Sequence, residues 1–242
     1  MERALFAAAT GMAAQQQNLD TIADNLANAD VAGFKGSAQR FAVLAAPGEP
    51  AAGTIALGAR PIFTQGKLAR SDGPFDIAIE GNGFFVLARG RERAYTRDGA
   101  FARAADGTLR NAEGWQLQGV RIPADALSAT VADDGRVRIT TAQGTREIVR
   151  LRLAVFPAPE RLQSDGGTIF HATPESGHPV LQLPGSGEHA PRVRFGMLER
   201  SNVTIIDAMM QLLTAQRAYE ANAKGVQAAD EMLRIANNLQ RG

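Results

Sequence analysis

The chain has 242 residues, of which 45% are hydrophobic and 21% are charged, and this composition is typical of a globular protein with one or two domains. Its formal net charge of +1 provides no bulk attraction to nucleic acid or to an anionic membrane, and no apolar run approaches the roughly 18–20 residues of a membrane span. The absence of cysteine excludes disulfide bonds and cysteine–zinc sites.

The first predicted element is a helix within residues 1–34. Apolar residues recur every seven positions along it, with one more at the second position of the same seam: Leu5, Met12, Leu19, Leu26 and Ile22. A heptad pattern of this kind is typical of coiled-coil packing. Gly33 follows as a residue that can end the helix.

An alternative for the same N-terminal stretch is a signal peptide that is cleaved off. Glu2 neutralises Arg3, so the positive flank of a signal peptide is missing. The heptad pattern also continues without a break through Leu26. We therefore expect a helix that the mature protein retains, and we expect any export to use a route that leaves the N-terminus in place.

The next segment, residues 35–62, is rich in alanine, glycine and proline. Several helix- and strand-breaking residues interrupt it: Pro47, Gly48, Pro50, Gly53 and Gly58. We interpret it as an extended arm or linker, which is either ordered only against neighbours or a plain disordered loop.

Residues 63–197 are predicted to form a β domain, because short alternating runs are separated by Asp-Gly and other turn signals. The predicted strands cover residues 75–80, 84–87, 94–96, 101–103, 115–118, 129–132, 137–140, 148–156 and 192–195. Residues 157–191 are predicted to form long loops. Many short strands with tight turns favour a mostly antiparallel sandwich or barrel-like domain.

The last predicted element is a long helix within residues 198–242. No proline interrupts the sequence from Asn202 to Gln240, and Thr204 is expected to cap the helix by accepting the backbone N–H of Asp207. Apolar residues recur along one face of this helix at Met209, Leu212, Tyr219, Val226 and Leu233. The spacing predicts one apolar stripe.

The predicted fold class is therefore α+β, with long N- and C-terminal helices paired as a coiled-coil-like shaft and an inserted, mostly antiparallel β domain. The helices could form a simple pair that packs on a globular body. Alternatively, other copies of the chain complete their stripes. We favour the second arrangement, because two helices have little interior and Met232, Ile235 and Leu239 lie off the main stripe. The heptad residues of the first helix form a stripe of their own, and both stripes are thus predicted self-association surfaces.

No catalytic, metal-binding or cofactor-binding pattern stands out in the sequence. The histidines at positions 171, 178 and 189 lack the spacing of a metal site, and we interpret them as loop residues. Asp76 and Glu80 share one face of a strand, as the two carboxylates of a glycosidase could. A chain with one Trp and two Tyr does not suggest a sugar-binding cleft, so we interpret both carboxylates as solvated.

A basic cluster follows in the β domain, at Arg89, Arg91, Arg93 and Arg97. Glu92 and Asp98 partly offset its charge. We interpret the cluster as a solvated hairpin tip, with a protein or polyanion contact as the alternative.

Several segments resemble the signatures of bacterial flagellar rod and hook proteins. At the N-terminal end these segments are Ile22–Asn28 and Gly33-Phe34-Lys35. In the β domain they are Phe63–Gly66, Asp76–Phe85 and Tyr95–Phe101. At the C-terminal end they are Leu198–Val203 and Gln216–Glu220. They occur in the expected order along almost the whole chain. The N-terminal ones define a candidate arm and turn motif of Asn25, Asn28, Gly33, Phe34 and Lys35.

The resemblance implies a structural subunit of the flagellar basal-body rod rather than an enzyme. Such subunits pass through the flagellar type III export apparatus without a cleaved signal, and they polymerise in the periplasm into a hollow helical shaft that transmits torque to the hook. The implied partners are further copies of the chain, other rod subunits, the hook protein and surrounding ring proteins, and the arm would bridge subunits.

Two features favour one branch of this family. Gln216–Glu220 and Phe63–Gly66 look most like the distal-rod members, and the proximal-rod members are the alternative. The rival from another class is a secreted β-domain adhesin or enzyme that terminal helices brace.

Overall fold

The computed structural model describes residues 2–45, 53–187 and 190–239, without the side chains of residues 2–4, 233 and 236–239. The chain is α+β, with one long helix at each end and a mostly antiparallel β domain between them. It divides into two compact units. The first comprises residues 1–27, 37–60 and 203–242, and the second comprises residues 28–36 and 61–202.

Two helices dominate the first unit, α1 (Glu2–Ala27) and α2 (Ile205–Leu239). They pack against each other in antiparallel order, with Ala8 opposite Gly225 and Gly11 opposite Asn222. The two helices approach each other closely at Gly11, since an added Cβ there would lie 3.0 Å from the Asn222 amide nitrogen. The two terminal helices are confirmed, and coiled-coil packing between them stays a prediction.

The ends of the helices differ in part from the predicted segments. α1 stops at Ala27, because the following residues turn: the N–H of Val31 donates to the carbonyl of Asn28 at 3.1 Å. α2 starts after Thr204, whose hydroxyl oxygen accepts the backbone N–H of Asp207 at 3.2 Å. The predicted cap is therefore confirmed. Over the described part of the chain, neither helix is both long and apolar enough to cross a bilayer.

The arm is more regular than a linker. Strands β1 (Ser37–Leu44) and β2 (Gly53–Pro61) form a two-stranded sheet, and residues 46–52 lie outside the described part of the chain. β1 and β2 also contact α1: the hydroxyl of Thr21 donates to Gln39 at 3.3 Å, and the N–H of Thr54 donates to Thr10 at 3.3 Å.

The described residues of the second unit form sixteen short strands, all of them antiparallel in the described pairings. The first eight are β3 (Leu68–Arg70), β4 (Ile77–Glu80), β5 (Phe84–Arg89), β6 (Glu92–Thr96), β7 (Ala102–Arg103), β8 (Thr108–Arg110), β9 (Gln116–Arg121) and β10 (Ser128–Val131). The others are β11 (Arg136–Thr141), β12 (Gly144–Arg150), β13 (Leu153–Val155), β14 (Gln163–Ser164), β15 (Ile169–His171), β16 (Val180–Gln182), β17 (Arg192–Phe195) and β18 (Met197–Glu199).

The largest sheet has nine strands and is centred on β5. Its main path runs β14-β15-β6-β5-β9-β8-β7, and β13 joins β5 to β16. A three-stranded sheet has the order β10-β11-β12, and β17 pairs with β4 and β18 with β3. Because adjacent residues on a strand point to opposite faces, Phe85 enters the main core cluster while Phe84 enters a second, aromatic one. β5 is thus buried on both sides.

Two predictions about the β domain are wrong in detail. The predicted strand 148–156 is interrupted, because the N–H of Leu151 donates to the carbonyl of Gly135 at 2.7 Å instead of to a neighbouring strand. Residues 157–191 are not only loops: they contain β14, β15 and β16 and two short 3-10 helices, Pro159–Arg161 and Pro174–Ser176. Strands of two or three residues are too short to produce a recognisable alternation.

Candidate assembly surface and buried ionic cluster

The predicted stripes are partly covered within a single chain. On α1, Ile22 is buried, and the other stripe residues are half-buried: Leu5, Met12, Leu19 and Leu26. On α2, three stripe residues are half-buried: Leu212, Tyr219 and Val226. Met209 is 52% exposed, and the side chain of Leu233 lies outside the described part. The most deeply buried residues of the two helices include alanines, at positions 14, 208, 215 and 229.

A different face of α2 carries large apolar side chains that this chain leaves exposed. We call it the outward patch, and it comprises Ile205, Ile206, Met209, Met210 and Leu213. Ile206 is 73% exposed and Met210 is 60% exposed. At 3.6 residues per turn, the patch centre lies roughly 130° around the helix from Ala208 and Ala215. Of the predicted stripe, only Met209 belongs to it. The spacing of these residues was visible in the sequence, but spacing alone does not show which face is covered.

The arm also exposes apolar side chains, and one buried amide holds its start. Phe41, Val43, Ile55 and Leu57 are all exposed on β1 and β2. Asn25 is buried, and its side chain pairs with the backbone of Ser37: it donates to the carbonyl at 2.7 Å and accepts the N–H at 2.8 Å. This pairing fixes where β1 leaves α1.

Lys35, Arg97 and Glu199 form a buried ionic cluster in the second unit. Lys35 Nζ donates to Glu199 Oε1 at 2.6 Å, and Arg97 Nε donates to Glu199 Oε2 at 2.8 Å. The side chains of Lys35 and Glu199 are 1% and 0% exposed. The backbone N–H of Gly66 also donates to Glu199 Oε1, at 2.8 Å. Glu199 therefore holds three donors from distant parts of the sequence.

Backbone carbonyls complete the coordination of the two cations. Lys35 Nζ donates to the carbonyl of Thr64 at 2.7 Å. Arg97 donates to the carbonyls of Gly81 and Gly83 at 2.8 and 2.7 Å. Two buried cations face one carboxylate, so these carbonyl dipoles stabilise the excess positive charge. Burial lowers the pKa of Lys35 from its ordinary value, and the neighbouring Glu199 carboxylate opposes that shift.

Backbone geometry brings the cluster together. β18 pairs with β3 and so fixes Glu199, whose carbonyl accepts the N–H of Gly33 at 2.7 Å. Gly33 has a φ of +69°, and a Cβ at this position would lie 2.2 Å from the backbone nitrogen of Asp98. Only glycine tolerates both this positive φ and the close approach of the Asp98 backbone.

Asp98, which lies beside Gly33, has a shifted pKa. Burial, with smaller contributions from the nearby carboxylates of Glu113 and Asp76, raises its pKa to about 6, although the N–H of Ala100 donates to it at 3.0 Å and opposes the shift. We therefore expect this carboxyl to titrate closer to neutral pH than an ordinary aspartate does.

Two sequence-based interpretations need correction. The sequence predicts Arg97 at a solvated hairpin tip, but it is 4% exposed and belongs to the ionic cluster. It predicts a solvated Asp76, but this residue is buried and accepts a hydrogen bond from the Ser71 hydroxyl. Glu80 keeps 46% of its side chain exposed and accepts from Arg194 Nε at 2.8 Å.

The remaining candidates occupy different surroundings. In the arm and turn motif, Phe34 is buried and Asn28 is half-buried. His171 contacts Asp165 at 2.8 Å, His178 is exposed, and His189 lies outside the described part of the chain. Within residues 2–45, 53–187 and 190–239, no group of three or more His, Asp or Glu side chains is placed to hold a metal ion.

Comparison with known families matches all three parts of the chain. Residues 5–35 match the family described as "Flagella basal body rod protein", residues 78–139 match "Flagellar hook protein FlgE/F/G D1 domain", and residues 195–239 match "Flagellar basal body rod FlgEFG protein C-terminal". Lys35, Arg97 and Glu199 each lie in a different one of these regions. The ionic cluster therefore joins the three parts that the family shares.

Whole-length relatives agree with these matches. The chain is 38% identical to the "Flagellar basal-body rod protein FlgG" of Borreliella burgdorferi, with 100% of both chains covered. It is 36% identical to the protein of the same name from Agrobacterium fabrum, with 97% of this chain and 98% of the relative covered. A "Flagellar basal-body rod protein FlgF" from Caulobacter vibrioides is 31% identical, with 98% and 97% covered. The chain belongs to the family of flagellar basal-body rod proteins.

Proposed function

We propose that this chain, a structural subunit of the distal rod, polymerises through its terminal helices into the hollow helical shaft that carries motor torque to the hook. The outward patch of α2 is the observation that carries this proposal. Five large apolar side chains share one face of about two and a half helical turns, and each is close to half exposed or more. Contiguous exposed apolar surface of this kind marks an interaction site.

Copies of the same chain are the occupant that fits this patch best. Each half-exposed Ile, Leu or Met gains on the order of 1 kcal/mol when a neighbour covers it. Asp207 is the one charged residue within 205–213, and both it and the uncharged Gln211 lie outside the centre of the patch, so the patch suits an apolar partner surface. A contact between two different faces of identical subunits generates a helical filament when the repeated rotation does not close into a ring.

The predicted stripes have a complementary role in this proposal. Leu5, Met12, Leu19, Ile22 and Leu26, together with Leu212, Tyr219 and Val226, hold α1 and α2 as a pair and contribute their exposed edges to neighbouring subunits. Met209 faces a neighbour directly, and Leu233 stays a predicted self-association residue. The arm presents Phe41, Val43, Ile55 and Leu57 as a second contact that bridges subunits.

The location and partners follow from the family. Membership in the rod family places the chain in the flagellar basal body, where it assembles with other rod components and the hook. We further propose that the rod segment lies in the periplasm and contacts ring proteins, and that the flagellar type III apparatus exports the chain without cleavage of a signal peptide. The relatives carry the names of structural proteins, and we propose no catalytic role.

Two substitutions that each introduce a negative charge test the assembly surface. Met210→Asp places a carboxylate in the outward patch, and Gln211→Asp places the same carboxylate on an exposed position of the adjacent side of the same turn. We expect Met210→Asp cells to lack complete basal bodies and to be non-motile, whereas Gln211→Asp cells assemble basal bodies and swim. Circular dichroism of both purified variants should match the unmodified chain.

Normal basal bodies and normal swimming in Met210→Asp cells would show that the outward patch is not an assembly surface. Equal loss in both variants would show that any charge on this part of α2 is harmful, and the patch would then have no special role.

A further inference from the structure

The chain passes between its two units at four places, and three of these places meet inside the second unit. The passages follow residues 27, 36, 60 and 202. Gly36 and Asn202 of the second unit lie directly at two of them, and Ile62 lies one residue beyond Pro61 at a third. These three residues are joined to one another by hydrogen bonds. Widely separated segments of sequence therefore converge where the chain leaves this unit.

The three bonds form a closed ring, which we call the clasp. The N–H of Ile62 donates to the carbonyl of Gly36 at 2.7 Å. The N–H of Gly36 donates to Asn202 Oδ1 at 2.8 Å, and Asn202 Nδ2 donates to the carbonyl of Ile62 at 2.7 Å. One side-chain amide thus connects two backbone segments that lie 166 and 140 residues away in sequence.

Side-chain and backbone bonds tie the clasp to the ionic cluster. Asn202 Nδ2 also lies 2.9 Å from the Thr64 hydroxyl oxygen, and the carbonyl of Thr64 accepts from Lys35. The N–H of Arg200 donates to the carbonyl of Lys67 at 2.9 Å. Each member of the clasp therefore lies within a few residues in sequence of Lys35, Gly66 or Glu199, and Glu199 accepts a hydrogen bond from each of the other two.

The ionic cluster in turn reaches the central sheet. Arg97 directly follows β6, and its guanidinium donates to the carbonyls of Gly81 and Gly83, in the turn between β4 and β5. A pull on any one of the three segments therefore passes through short, charge-assisted bonds to the most deeply buried strands of the unit.

We propose that the clasp makes the three passages act as one mechanical connection, so that force on one passage is shared by all three and by the β domain behind them. A single backbone hydrogen bond contributes only about 0.5–1.5 kcal/mol. In a closed ring each member takes part in two of the three bonds, so none moves away without straining both of its bonds, and the ring opens cooperatively. This inference concerns the single chain and does not depend on how copies assemble.

Hydrogen exchange in the full-length chain tests this cooperativity. Asn202→Ala removes the partner of the Gly36 N–H, so faster exchange at Gly36 is expected in any case. The Ile62 N–H donates to Gly36 and not to Asn202, so its rate reports on the whole ring. The clasp predicts that exchange of the Ile62 amide also accelerates, by about tenfold or more.

A control variant and a second clasp variant sharpen the test. Thr145→Ala removes an exposed hydroxyl pair with Thr140 in the same unit and should leave both rates unchanged. Asn202→Asp keeps an oxygen that accepts from Gly36 but removes the donor to Ile62, and it serves if Asn202→Ala does not fold. The clasp predicts faster exchange at Gly36 in this variant too. An unchanged Ile62 rate in Asn202→Ala, or an unchanged Gly36 rate in Asn202→Asp, would overturn the inference.

Discussion

Lys35 Nζ lies 2.6 Å from Glu199 Oε1 although 164 residues separate the two along the chain. The pair joins the segment that follows α1 to the segment that precedes α2. Both side chains are almost fully buried, and Arg97 from the β domain completes the cluster. The segment after α1 and the segment before α2 are therefore both fastened to the β domain within the second unit.

Glu199→Gln should strongly destabilise the second unit. The amide keeps the shape of the carboxylate but leaves Lys35 and Arg97 buried without a counter-charge, which costs about 3–5 kcal/mol in comparable buried pairs. Urea unfolding of the full-length chain measures the loss. Glu92→Gln is the matched control, because it removes only the exposed pair with Arg89, whose atoms are 3.5 Å apart, and should cost less than about 1 kcal/mol. Equal losses in the two variants would contradict a stabilising role for the cluster.

Gly33→Ala should be more harmful than Gly90→Ala. The two glycines have similar positive φ values, +69° and +65°, so the conformational cost of alanine is nearly the same, about 1 kcal/mol. A Cβ at Gly90 meets no atom within 4 Å, whereas one at Gly33 overlaps the backbone of Asp98. We expect Gly33→Ala to lower the midpoint of urea unfolding further than Gly90→Ala does. Equal midpoints in the two variants would show that the contact with Asp98 relaxes freely.

Asp98 gives the stability of the chain a pH dependence with a defined sign. Its pKa is raised from 3.8 to about 6 in the folded chain, mainly by burial. Between those values the folded chain binds more protons than the unfolded chain, so this residue lowers the free energy of unfolding as pH rises through that range. Asp98→Asn removes the ionisation and retains an oxygen that can accept the N–H of Ala100.

The stability of Asp98→Asn relative to the unmodified chain should therefore increase as pH rises from about 4 to about 7. Urea unfolding at several pH values measures the difference, and NMR titration of the Asp98 carboxyl measures its pKa directly. A difference that stays constant across this range would show that Asp98 is not perturbed.

Local sequence patterns predicted the helices well, but they did not show which apolar face of α2 a single chain leaves exposed. Seven-residue spacing from Leu5 to Leu26 identifies a helix, because helical periodicity is a local property. The outward patch at Ile206 and Met210 has equally regular spacing, but no local signal shows that alanines such as Ala208 and Ala215 form the covered side. Burial depends on the partner element, which the spacing does not specify.

The ionic cluster was the least predictable feature of the fold. Arg97 follows three other arginines near a turn, so a solvated tip was the natural interpretation. Its partner, Glu199, is 102 residues away, and the cluster forms only after both segments reach the β domain. The family resemblance did mark the segments around Lys35, Arg97 and Glu199, yet it carried no information on why they are shared. The structure supplies a reason, since all three belong to one buried group.

The most direct test of the assembly surface uses the absence of cysteine from the chain. A single Met210→Cys substitution provides a unique thiol in the outward patch, and a maleimide reagent measures its accessibility in the purified monomer and in isolated basal bodies. We predict rapid labelling in the monomer, where Met210 is 60% exposed, and protection in basal bodies, where a neighbouring subunit covers it. Equally rapid labelling in both would contradict the account.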